Sequence, residues 1–261
     1  RPSSRTPRVT VALAACSDVG RGFSSPLYRD TGVVLRTYKL GESDRIVVLL
    51  TEEHGKVRAV AKGVRKTTSK FGARLEPGSH VRLLLAEGRE LDIVSQADTV
   101  DTIAPLLADL DHLTAAMAVL EAADQMSLDR EPNPGLYRMV VGALRTVAER
   151  SSPLVVPAFY WKLLAAEGVK PELDGCVRCG DDVPLVAFDM EQGGALCRVC
   201  RTGAPLSEAA LELMRMILGG RLNEALAVEE SAVTREVAGH ATKALEHHIE
   251  RRLRAIALFE R

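Results

Sequence analysis

Two short cysteine pairs, Cys176-Val-Arg-Cys179 and Cys197-Arg-Val-Cys200, are separated by seventeen residues. Each Cys-x-x-Cys turn presents two sulfurs from one knuckle, and two such turns at this distance have the spacing of a four-thiolate zinc ribbon. The intervening segment reads as a hairpin, with an apolar run from Pro184 to Phe188 and a turn at Gly193-Gly194. Four of the five cysteines lie in this window, so one Zn2+ per chain is expected on Cys176, Cys179, Cys197 and Cys200, in preference to a disulfide or a redox dithiol. Four thiolates leave no open coordination position. The ion is therefore expected to fold the knuckle and to do no chemistry.

With 261 residues, 46% of them hydrophobic and 26% charged, the chain can bury a sizeable core in two or three compact units. No apolar run approaches the roughly 20 residues needed to cross a bilayer. The net charge of −1 conceals an asymmetry. Residues 28–75 hold eleven Lys/Arg against five acids, whereas residues 98–131 hold eight acids against Arg130 alone. A basic module joined to an acidic one predicts a polyanion on the first and a different partner on the second.

Residues 1–27 mix Arg, Ser, Pro and Gly around a seven-residue apolar run, Val9 to Ala15. Leu13-Ala-Ala-Cys16 has the look of a lipoprotein cleavage box, but the run is at the short limit for a signal segment. Zinc-binding thiols also suit a reducing compartment. The stretch is read as a disordered extension in which Cys16 is a spare thiol.

From residue 28 the pattern is β. Runs at 32–39, 45–51, 56–62, 80–85 and 90–95 are rich in branched residues and bounded by Gly41, Gly55, Gly63, Pro77-Gly78 and Gly88. Five short strands predict a small barrel of the oligonucleotide-binding (OB) type over residues 28–98. The connection after Gly63 carries Arg65, Lys66, Lys70 and Arg74 with three hydroxyls, Phe71 and no acid. Together with Arg36, Lys39, Arg45 and Lys62 these cations are candidate phosphate contacts, and Phe71 is a candidate for stacking on a base or for plugging the barrel end.

Near Ala104 the period becomes helical. Leu106, Leu110, Leu113, Met117 and Leu120 predict one helix, Leu136, Val140, Leu144 and Val147 a second, and Phe159 to Leu164 a third opening after Pro157. The Phe159-Tyr160-Trp161 cluster is read as core, and its amphipathic neighbours offer a groove for a partner peptide. After the ribbon, Ser207 is a candidate N-cap, Gly219-Gly220 a stop, and a last helix is expected to carry Val237 through Ile256 on one stripe. The expected fold class is α+β and multi-domain: the barrel, then an all-α domain at 99–168 and 206–261 interrupted by the ribbon at 169–205.

In this order, Asp30-x-Gly32-Val-Val-Leu35, Leu40-Gly-Glu-Ser-Asp44-Arg45-Ile46, His54-Gly55, Ala61-Lys62-Gly63-Val-Arg65-Lys66, Ser69-Lys70-Phe71, Leu75-Glu-Pro77 and the two cysteine hooks resemble the bacterial RecO family over about residues 28–261. The resemblance implies a DNA recombination and repair mediator in the cytoplasm, associated with the nucleoid. It implies ATP-independent binding of single- and double-stranded DNA and annealing of single strands. The implied partners are RecR and the acidic tail of single-strand-binding protein, with RecA loaded indirectly; the implied tail is expected near Arg138, Arg145 or Lys162, beside the aromatic cluster and away from the acidic stretch. No enzyme is expected, since the chain has no phosphate loop, and its one His-x-Glu, His248-Ile249-Glu250, follows both cysteine pairs instead of preceding them. The alternative is a ribbon and barrel module that binds RNA or a transcription or ribosomal complex.

Overall fold

The computed structural model describes residues 25–66 and 69–255. The expected extension and Cys16 fall within residues 1–24, outside the described residues. Strands β1 (Leu27–Leu40), β2 (Asp44–Thr51), β3 (Gly55–Ala61), β4 (His80–Ala86) and β5 (Asp92–Asp101) close into a barrel in the order β1-β2-β3-β5-β4. All ladders are antiparallel except β3 with β5, where Ala59 pairs with Asp92 and Val60 with Ile93. β5 runs past the expected boundary at 98.

Alternation explains β3 and β4, whose Val57, Ala59, Leu83 and Leu85 point into the barrel. It does not explain the unbroken runs Val33-Val34-Leu35 and Val47 to Leu50. Those residues are split between two cores: Val34, Val47 and Leu49 fill the barrel, while Val33, Leu35, Val48 and Leu50 pack on the helices. A strand buried on both faces loses its polar alternation. A register shift between Val34 and Arg36 leaves Leu35 as the extra residue and pairs Arg36 with the outward-facing Val48, so that both Leu35 and Arg36 face the body.

Phe71 is 2% exposed and belongs to the barrel core. The expectation that it stacks on a base is therefore corrected in favour of the plug. The β3–β4 connection turns back through a 3-10 segment, Gly72–Leu75, which sends Phe71 and Leu75 inward. Burying such a ring is worth roughly 2–3 kcal/mol, which a solvent-facing ring would forgo.

The helical body comprises α1 (Leu110–Met126), α2 (Pro134–Glu149), α3 (Val155–Ala166), α4 (Glu208–Leu218), α5 (Leu222–Ala225) and α6 (Ala232–His248). Asp109, Asn133, Ser207 and Ser231 cap four of them through side-chain oxygens that accept backbone N–H groups, Ser207 as expected. α3 opens at Val155, so Pro157 sits in its first turn, where its missing N–H costs nothing. α6 stops at His248; Leu253 is buried beyond its end, and Ile256 lies outside the described residues. Trp161 is fully buried and meets Phe188 of the ribbon edge-on at 5.6 Å, and Phe188 meets His240 of α6 at 5.3 Å. The ribbon, with β6 (Leu185–Asp189), β7 (Gly194–Cys197) and β8 (Ala204–Pro205), thus shares one core with the helices. Among the described residues no helix is long and apolar enough to cross a membrane.

Barrel and body meet along a seam of paired charges. Asp124 of α1, with a side chain 4% exposed, is held by Arg36 at 3.0 Å and Lys56 at 3.6 Å, and its backbone carbonyl accepts from Lys56 Nζ at 2.9 Å. Asp101 accepts from His80 Nδ1 at 2.6 Å and from Arg145 at 2.8 Å, while the Tyr137 hydroxyl lies 2.8 Å from His80 Nε2. Asp92 takes Arg130 at 2.6 Å together with the Tyr28 hydroxyl. Burial alone would raise the pKa of both Asp92 and Asp101. Tyr28 and Arg130 in the first case, and His80 and Arg145 in the second, outweigh it and hold both carboxyls below the usual range. At the β2–β3 turn, Gly55 has φ +68°, and a Cβ there would fall 2.0 Å from the Glu131 carbonyl oxygen. Only glycine lets the body approach so closely.

Candidate metal centre and nucleic-acid interface

One end of the β1-β2-β3 meander, where Gly32, Thr51 and Gly55 pair in register, meets the body through Gly55 and Lys56. The other end, where Leu40 meets Asp44 and Arg45 meets Ala61, carries the cations. Two loops come together there because Asp44 accepts the Gly63 N–H at 2.8 Å and Arg65 N donates to the Ser43 carbonyl at 3.0 Å. The Gly63 N–H above all, with Ser43, Lys62 and Lys66 adding to it, keeps the Asp44 carboxyl below its usual pKa. Asp44 is thus an anionic pin inside a cationic rim.

On that rim Lys39, Lys62 and Lys66 are exposed and have no carboxylate partner among the described residues. Arg65, Lys70 and Arg74 are exposed too. They donate to backbone carbonyls only, of Glu42 at 2.9 Å, Ser95 at 2.8 Å and Lys70 at 2.8 Å, so their charge is uncompensated while their heads are positioned. Two sequence candidates do not belong with these six. Arg36 is drawn into the seam by Asp124, and Arg45 is neutralised by Glu76 at 2.6 Å. Neither pairing is visible in the local sequence, because Asp124 and Glu76 lie 88 and 31 positions away. Other conspicuous motif residues are architectural: Asp30 accepts His54 Nδ1 at 2.6 Å and the Thr31 N–H at 2.7 Å, tying β1 to the β2–β3 turn. Lys56 and Arg130, absent from the sequence candidates, prove to be seam residues.

The four sulfurs of Cys176, Cys179, Cys197 and Cys200 lie within 4.8 Å of one another, with Cys179 Sγ and Cys197 Sγ 4.0 Å apart. A tetrahedral ion with metal–sulfur bonds of about 2.3 Å needs sulfurs roughly 3.8 Å apart, so the set fits. The Cys197 N–H points at Cys176 Sγ from 3.4 Å. That N–H, then the N–H of Cys179, lower the Cys176 thiol to about 6, while Cys179 and Cys200 beside it are pushed up, Cys200 chiefly by burial, so Cys176 is the sulfur most readily deprotonated. The thiolates can hold one metal ion.

A third feature is a groove of about 240 Å³ between α2, α3 and α5, floored by Met139, Ala143, Phe159 and Leu226 and flanked by Arg138 and Lys162. It brings together two of the three cations expected near a partner site. Arg145 is not among them, being committed to Asp101.

A closed OB-type barrel with a cationic rim, fused to a helical body that shares its core with a four-thiolate ribbon, defines a two-part protein of the oligonucleotide-barrel class. Comparison with known proteins makes this specific. The family model for the recombination protein O N terminal matches residues 25–103, and that for the recombination protein O C terminal matches residues 107–258. The DNA repair protein RecO of Frankia casuarinae is 45% identical over 242 residues, which span 90% of this chain and 99% of that protein. The chain belongs to the RecO family of DNA repair and recombination proteins. Among solved structures, asparaginyl-tRNA synthetase from Pyrococcus horikoshii aligns at 16% identity and a TM-score of 0.25, over 45% of this chain and 32% of that one. Nothing about this chain follows from that likeness.

Proposed function

We propose that this chain is a non-catalytic DNA-binding mediator that binds and anneals single strands without nucleotide hydrolysis. It helps load recombinase on DNA coated by single-strand-binding protein. The observation that carries this reading is the set of six uncompensated cations, Lys39, Lys62, Arg65, Lys66, Lys70 and Arg74, gathered on one barrel end. Backbone phosphates are the natural ligand of such a rim, and with Phe71 buried the affinity comes from charge instead of stacking. The groove beside α3 suits the acidic tail of single-strand-binding protein, its apolar floor taking side chains and Arg138 and Lys162 taking carboxylates. RecR and RecA are the further partners, in the cytoplasm at the nucleoid. The four thiolates hold Zn2+ as a structural ion.

The test is strand annealing of DNA coated by single-strand-binding protein, run without nucleotide. Acceleration is expected, with reversal of Arg138 and Lys162 to Glu abolishing it on coated DNA and sparing it on bare strands. A chain that ignores single-stranded DNA at low salt overturns the reading. Elemental analysis should find one zinc per chain, lost in Cys197→Ser.

A further inference from the structure

Tyr38 of β1 pairs in register with Ile46 of β2, Ile46 with Val60 of β3, and Val60 with Ile93 of β5. Residues opposite one another in a ladder share a face, and side chains alternate along each strand. Two residues along, Arg36 pairs with Val48 and Val48 with Arg58, and Val48 packs on the helical body. Tyr38, Ile46, Val60 and Ile93 therefore stand on the outer face of the barrel, in a row one step beyond the part that the body covers. None of the four belongs to the barrel core or to the core of the helices. Tyr38 is 41% exposed, Ile46, Val60 and Ile93 are partly buried, and Leu40, two residues on towards the rim, is 38% exposed.

Cations frame this row. Arg58, two residues before Val60 on the same face, is exposed and has no carboxylate partner among the described residues. Lys39 adjoins Tyr38, and Lys62 follows the end of β3. The Arg36 guanidinium carbon lies 5.1 Å from the centre of the Tyr38 ring and backs it from one side. Leu110, Leu113 and Met117 of α1 are exposed as well, but the charged residues beside them in sequence, Asp109 and Asp111, are acids. An apolar row among unpaired cations fits a ligand that is flat, apolar and anionic at once. An unpaired nucleic-acid strand is such a ligand: its phosphates carry charge, and its bases present faces that a duplex keeps stacked inside. We infer that the Tyr38 ring stacks on a base of an unpaired strand whose phosphates lie along the rim. The inference rests on the DNA reading and deepens it. Charge on the rim supplies the hold, and Tyr38 supplies what charge lacks, the distinction between paired and unpaired strands.

The probes are a single dT strand and an abasic strand of the same length, which carries the same phosphates and no bases. In fluorescence anisotropy the native chain should bind the dT strand about fivefold more tightly than the abasic one. Tyr38→Ala should bring that ratio close to one while leaving duplex affinity and the slope of log affinity on log salt unchanged, and Tyr38→Phe should keep the ratio. Tyr38→Lys adds charge as it removes the ring, so it should bind both strands more tightly and still lose the ratio, which neither lost charge nor a loosened barrel would imitate. A ratio that survives in Tyr38→Ala would overturn the inference and leave the rim as the DNA site. A native ratio of one would also overturn it and leave the row to a partner protein. A native chain that binds neither strand nor duplex at low salt would overturn the DNA reading, and the inference with it.

Discussion

The barrel uses the same residue types in opposite ways at its seam with the body and at its rim. At the seam, Arg36, Lys56, Arg130 and Arg145 each meet a carboxylate, and Asp92 and Asp124 are buried. At the rim, six Lys/Arg have no carboxylate partner among the described residues, and the nearby acid, Asp44, is committed to the Gly63 amide. Charge at the first fixes the orientation of two bodies, and charge at the second is left for something outside the chain. The difference teaches that a basic stretch of sequence is not one surface. Of the acids that give residues 98–131 their balance, Asp101, Asp109, Glu121 and Asp124 are engaged inside the molecule. Part of the acidic stretch thus holds the fold together.

Substitutions can break this contrast or sharpen it. The largest expected effect is that of Phe71→Ala, which empties the rim's own foundation. It should cost roughly 3–5 kcal/mol in denaturant unfolding, whereas an exposed stacking ring would cost little stability. Asp124→Ala takes the carboxylate from Arg36 and leaves the nearly buried Lys56 only its longer contact to Asp129 at 3.9 Å, and should cost about 3 kcal/mol while single-strand affinity stays unchanged. A loss of DNA binding without a loss of stability would place Arg36 on the rim after all.

Acid should undo the seam next. Asp92 and Asp101 are held below the ordinary 3.8, so the stability they contribute is fully present above that value and is lost as pH falls below it through the lower folded-state values. The gap in melting temperature between the native chain and Asp101→Asn, about 1 kcal/mol in free energy at neutral pH, should narrow as pH falls below 3.8. Smallest in stability, Lys66→Glu with Lys70→Glu should change unfolding by less than about 0.5 kcal/mol. The same pair should flatten the dependence of log affinity on log salt by about 1.4 for single-stranded DNA. An unchanged slope in fluorescence anisotropy would show that the rim is solvated surface.

Much of this was legible from residue order alone, and for physical reasons. Cys-x-x-Cys turns are local devices, so the four-sulfur cluster could be placed from spacing, and five short runs between glycines were enough for a barrel. Helix caps such as Ser207 act within three residues. What escaped was whatever depends on distant partners. Arg45 looks like a rim cation until Glu76 folds back on it, and Arg36 until α1 delivers Asp124. The double burial of β1 and β2 was written in Val47 to Leu50 but only the helical body gives it meaning. Leu110, Leu113 and Met117 show the reverse error, where a sound period predicts burial that the described residues do not supply.

The unequal use of charge means that the near-zero net charge of this molecule is not evenly spread: the seam's cations are paired with carboxylates and the rim's six are not. In the field of a polyanion such a body turns before it touches, leading with the rim. The rim belongs to the barrel and the groove flanked by Arg138 and Lys162 to the helical body. A strand held at the one and a peptide held in the other would therefore draw on separate residues.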